Sequence, residues 1–67
     1  MYDIVRVGGF AIERDLSSIA VAKRAAKEGS KDGSLVQVID LNSGYAIAEY
    51  ENGKPTQNRA HFKFKKL

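Results

Sequence analysis

The stretch Leu35-Val36-Gln37-Val38-Ile39-Asp40-Leu41-Asn42-Ser43-Gly44-Tyr45-Ala46-Ile47-Ala48-Glu49-Tyr50-Glu51 decides the fold. Two runs rich in β-branched and aromatic residues flank Asn42-Ser43-Gly44, the composition of a β-hairpin. A type I turn followed by glycine in the left-handed region closes a three-residue loop of this kind. In that register Leu41 meets Tyr45, Ile39 meets Ile47 and Val38 meets Ala48. Strand side chains alternate between faces, so Ile39, Leu41, Tyr45 and Ile47 share one face, and Val36, Val38, Ala46, Ala48 and Tyr50 the other. One helix covers only one face. The second is therefore expected to be a contact surface for the C-terminal segment, a second copy of the chain, or a different protein.

Upstream, a helix is predicted from about Ser18 to Glu28, capped by Asp15 or Ser17 and ended by Gly29. Ile19, Val21, Ala22, Ala25 and Ala26 fall on one broad arc, with Lys23, Arg24 and Lys27 opposite. Its buried stripe is mostly alanine, so Ile19 and Val21 are expected to be the main anchors, and Arg24 is placed to pair with Glu28 one turn on. Further upstream, Tyr2–Val7 and Phe10–Arg14 flank Gly8-Gly9, a second predicted hairpin, with Val7 opposite Phe10, Val5 opposite Ile12 and Asp3 opposite Arg14. The spacing of a phosphate-binding glycine loop is missing.

Downstream, Asn52-Gly53 signals another turn. Pro55 is expected to delay the next strand, leaving Thr56–Asn58 as loop and Ala60–Lys65 as a last strand. There Arg59, His61, Lys63 and Lys65 fall on one parity and Phe62 and Phe64 on the other: a row of cations backed by two aromatic rings. Residues 1–53 hold six basic and eight acidic residues, whereas residues 54–67 hold five basic residues and no acid. The net charge of +3 is thus a mildly acidic body joined to a basic segment, 55–67. Such a row attracts phosphate or acidic protein surface, and lysines on an edge strand also discourage edge-to-edge association.

At 67 residues the chain is read as one domain, 1–67, burying about 60% of its unfolded surface. A hydrophobic content of 43% is too high for a disordered chain, and the domain is too small for an enclosed cleft. Without cysteine there is no disulfide scaffold or thiolate metal site. No signal-peptide pattern or long apolar run is present, so a cytoplasmic setting without membrane contact is expected. His61 is the sole histidine, and Ser17, Ser18, Ser30, Ser34, Ser43 and Thr56 lie in predicted caps and loops without a base partner. Asp40, Glu49 and Glu51 could converge near one hairpin, but lack a cleft to set their pKa values apart. No catalytic residue, metal site or cofactor is expected.

The element order is strand, strand, helix, strand, strand, with a fifth strand expected. It gives an α+β two-layer fold, an antiparallel sheet of four to five strands with one helix on one face. Ala22-Lys23-Arg24-Ala25-Ala26-Lys27, followed by a hairpin ending Glu51-Asn52-Gly53-Lys54, resembles small domains of this topology encoded by phages and mobile elements, some anti-CRISPR proteins among them. The resemblance spans residues 2–54 in outline, and its motifs are generic helix and turn chemistry. It implies a non-enzymatic inhibitor that sits on a host protein or nucleoprotein complex. The basic C-terminal segment departs from inhibitors that mimic nucleic acid with acidic surfaces.

Two functions follow as expectations. In the first, a protein-binding module uses Ile39, Leu41, Tyr45, Ile47 and Tyr50 as interface anchors, with cations steering encounter. In the second, Arg59, His61, Lys63 and Lys65, aided by Lys23, Arg24 and Lys27, contact DNA or RNA phosphates while Phe62 or Phe64 stacks on bases. A homodimer through the spare sheet face is compatible with either.

Overall fold

The computed structural model describes residues 1–56 and the backbone of Phe62–Lys63. It is an α+β two-layer fold. The elements are β1 (Tyr2–Arg6), β2 (Ala11–Leu16), α1 (Ile19–Gly29), β3 (Leu35–Asp40), β4 (Tyr45–Glu51) and the two-residue strands β5 (Lys54–Pro55) and β6 (Phe62–Lys63). The sheet runs β2-β1-β3-β4, and β5 and β6 both pair with β4. All pairings are antiparallel, and α1 packs across one face.

β3 lies inside the sheet and reads as a buried strand: Val36, Gln37, Val38 and Ile39 are all buried. Its ladder with β1 is regular from Tyr2↔Asp40 to Arg6↔Val36. With β4 it is regular from Leu35↔Glu51 to Val38↔Ala48, then shifts by one so that Ile39 faces Ala46 and Asp40 faces Tyr45. The expected Val38–Ala48 pair forms; Ile39–Ile47 and Leu41–Tyr45 do not. The loop is the reason. It has four residues, closed by the Gly44 amide donating to the Asp40 carbonyl at 2.7 Å, while the Leu41 amide donates to Met1 at 3.0 Å. Leu41 therefore belongs to the β1 side, and Ile47 becomes the extra residue of a bulge. The bulge exchanges the expected faces of Ala46 and Ile47: Ala46 lies opposite Ile39, and Ile47 packs against the core with Ala48 and Tyr50.

The β1–β2 pairing also departs from the expected register. Val5 faces Ala11, Ile4 faces Glu13 and Tyr2 faces Leu16, with shifts between them, in place of Val7–Phe10, Val5–Ile12 and Asp3–Arg14. The Val7 amide is claimed by the Leu35 carbonyl at 2.8 Å, so the turn closes further back, with the Arg6 amide donating to Phe10 at 3.1 Å. At the other end the Asp15 amide donates to the Asp3 carboxylate at 3.0 Å, and Asp15 adopts φ 59, which deforms the strand there.

Ser18, rather than Asp15 or Ser17, caps α1: its backbone is extended and its Oγ accepts from the Val21 amide at 3.3 Å. Gly29 is the last helical residue and Ser30 the C-cap. Ala22 and Ala26 are fully buried with Ile4, Val36 and Val38, forming the core. The expected anchors Ile19 and Val21 are instead 42% and 45% exposed. The residues facing the sheet are spaced 22, 25, 26 and 29, a helical stripe of small side chains that leaves Ile19 and Val21 on its flanks. Close approach explains the composition: a Cβ on Gly29 would stand 3.3 Å from Ile12 Cδ1.

Pro55 does not delay strand pairing. Lys54 and Pro55 pair with Glu51 and Tyr50, where a residue without an N–H is tolerated at a sheet edge. Of the last strand expected over Ala60–Lys65, Phe62 and Lys63 pair with Ala46 and Tyr45, and the rest lies outside the described residues.

Candidate functional site

The outer face of α1 presents Lys23, Arg24 and Lys27, all exposed, and none is in an ion pair among the described residues. Glu28, the expected partner of Arg24, pairs with Lys31 at 2.8 Å instead. Three cations on one helix face can meet phosphate or carboxylate without first breaking a bridge.

The five residues expected to form a protein interface separate. Ile39 is 4% exposed, so its side chain is not on the surface. Ile47 and Tyr50 are half-buried against the core. Leu41 and Tyr45 remain exposed beside Met1, whose carbonyl holds the Leu41 amide. β6 places the Lys63 backbone opposite Tyr45 and that of Phe62 opposite Ala46. Arg59, His61, Phe64 and Lys65 lie outside the described residues.

The surface residue that the sequence reading missed is Phe10. Paired with Val7 across a two-residue turn, it would pack on a neighbour. Instead Phe10 is 85% exposed, with Val7 and Ile12 also exposed in the same hairpin. Gly8 at φ 79 and the Gly9 amide donating to the Arg6 carbonyl at 2.9 Å form a turn that ends directly at this ring. An aromatic residue immediately after a glycine pair was the available signal, but its exposure depended on which strand claimed Val7.

The three carboxylates near the β3–β4 hairpin serve separate purposes. Asp40 accepts from the Asn42 amide at 2.9 Å, shaping its own loop, and Glu51 is exposed. Glu49 is buried: Oε2 accepts from Gln37 Nε2 at 2.9 Å, and Oε1 from Thr56 Oγ1 at 2.6 Å. The Thr56 amide also donates to the Glu49 carbonyl at 3.0 Å. Glu49 thus ties β3 and the residue after β5 to β4. Among the described residues no group of three or more His, Asp or Glu is placed to hold a metal ion, and no helix is long and apolar enough to cross a membrane.

Comparison with protein families, curated proteins and solved structures finds no match.

Proposed function

We propose that this protein is a small non-enzymatic binding protein that acts by occupying the surface of a partner, a host protein or nucleoprotein complex, in the manner of phage and mobile-element inhibitors. The observation that carries this reading is the 85% exposure of Phe10 at a hairpin tip. Leaving a whole aromatic ring in water forgoes stabilisation that burial would give, and a thin domain has little to forgo. Aromatic residues that become buried on association supply much of the binding energy of protein interfaces. Leu41 and Tyr45 offer a second exposed apolar group, and Lys23, Arg24 and Lys27 favour encounter with an acidic partner.

The test compares wild type with Phe10→Ser in affinity capture, then in titration against the purified partner. Loss of about 2 kcal/mol of binding, roughly thirtyfold, is expected for an aromatic anchor. Equal affinity of the two proteins would remove Phe10 from the interface and this reading with it.

Direct DNA or RNA binding is a second reading, favoured by the three exposed helix cations. Anisotropy of labelled single- and double-stranded DNA and RNA, measured at low and near-physiological salt, tests it. Replacing Lys23, Arg24 and Lys27 by alanine is then expected to reduce the salt slope by about one for each phosphate no longer neutralised. Absence of binding near physiological salt would eliminate this reading and leave the first.

A further inference from the structure

Asn52-Gly53 is the sequence at which an asparagine side chain is most open to attack by the next backbone nitrogen, because glycine has no side chain to hinder it. The Gly53 nitrogen gives up its proton and bonds to Asn52 Cγ, and the side-chain amide nitrogen leaves as ammonia. Water then opens the resulting succinimide to aspartate or isoaspartate. The reaction needs only water, and it places a new negative charge in the turn. The isoaspartyl product also inserts an extra backbone carbon between β4 and β5.

In this fold the attacking nitrogen is engaged. Asn52 and Gly53 adopt φ 56 and 76, the two positive angles of a type I′ turn between the paired residues Glu51 and Lys54. Asn52 is exposed but Gly53 is buried, and its N–H donates to Ser30 Oγ at 3.0 Å. Ser30 is fully buried, and its hydroxyl proton goes to the Lys27 carbonyl at 2.9 Å. The hydroxyl therefore has its donor directed to the helix end and a lone pair directed to Gly53. Losing the Gly53 proton would discard that bond and leave the amide anion facing the serine oxygen in a water-poor site.

We infer that Ser30 is a chemical guard: its hydroxyl holds the Gly53 N–H and so suppresses succinimide formation at Asn52 in the folded protein. The site is a latent modification site, released when the helix C-terminus and the β4–β5 turn separate. This inference is independent of the partner-binding reading.

The test is peptide-resolved mass spectrometry during incubation at mildly alkaline pH, following amide-to-acid conversion at Asn52, with Asn42 in the exposed β3–β4 loop as internal reference. Conversion at Asn52 is expected to be at least about tenfold slower in the native wild type than in denaturant, the factor corresponding to about 1.4 kcal/mol. In Ser30→Ala, checked for folding by circular dichroism, it is expected to rise by a similar factor. Equal rates for native and denatured wild type, or for wild type and a folded Ser30→Ala, would overturn the inference. Should Ser30→Ala fail to fold, amide exchange in the wild type decides: Gly53 is expected to exchange more slowly than exposed Gly8, and equal exchange would overturn it.

Discussion

β3 and β2 are both six-residue strands, yet four residues of β3 are buried and none of β2 is. Composition separates them in part: β3 carries one charge, Asp40 at its end, whereas β2 holds Glu13, Arg14 and Asp15 in succession. Position does the rest. β3 has a strand on either side and α1 across one face, whereas β2 has β1 on one side and, among the described residues, no strand on the other. The inner strand supplies the fold's cohesion, and the outer hairpin, with Phe10 at its tip, is left available for contact.

The sharpest way to break this contrast is to replace an apolar residue by a polar one in each region. Val38 is fully buried in the core, so Val38→Asp strands a charge among apolar side chains. A loss of more than about 4 kcal/mol is expected, enough to abolish a cooperative thermal transition in a marginally stable domain. Phe10→Ser should change stability by less than about 0.5 kcal/mol. Similar melting of both variants would show that the outer hairpin carries load that its exposure conceals.

Glu49→Ala is the next largest change. It leaves Gln37 Nε2 and Thr56 Oγ1 without the acceptor they share, an expected loss of about 1–3 kcal/mol. At about 4–8 °C per kcal/mol for a domain of this size, the shift is readily seen in thermal denaturation. An unchanged midpoint would mean that the carboxylate is replaced by water at no cost, and that β3 owes its burial to apolar contacts alone.

Smaller again is the helix cap, which also bears on what the chain reveals before folding. Ser18→Ala should cost about 1 kcal/mol through loss of the bond to the Val21 amide, while Ser17→Ala, one residue earlier, should be near neutral. The reverse result in thermal denaturation would move the helix start back.

Such one-residue choices mark the limit of what the sequence makes legible. The element order, the turns at Gly44 and Asn52-Gly53 and the alanine-rich stripe follow from periodicity and turn chemistry. The registers do not, because competing long-range donors and acceptors set them: Leu35 takes the Val7 amide and Met1 the Leu41 amide. Ile19 and Val21 look like anchors only if helix burial follows hydrophobicity, whereas close packing favours Ala22 and Ala26. The candidate surface is less legible still. Lys23, Arg24 and Lys27 can be placed outward from helical spacing alone. The exposure of Phe10 turns on the long-range partner of the Val7 amide, which no short-range pattern specifies, and alternation alone does not show that Ile39 is buried.

The smallest expected effect lies where the chain enters β3. The Glu28 carboxyl is held below its ordinary value of 4.5 by a hydrogen bond from Lys31 and then by that ammonium's charge. Asp32 is held below 3.8 by hydrogen bonds from Ser34 and, more weakly, by the charge of Arg6, 3.6 Å away. Both pKa values are lowered by folding, so the unfolded chain binds these protons more readily and stability rises with pH. The contribution is complete above the ordinary values and is lost as pH falls through the lowered ones. Both groups are exposed, so water and salt screen the effect. Carboxyl-resolved NMR titration of Lys31→Ala should return Glu28 towards 4.5 while leaving Asp32 in place. If both moved together, the loop between α1 and β3 would respond as one charged unit, and the entry to the central strand would depend on electrostatics that the outer hairpin does not share.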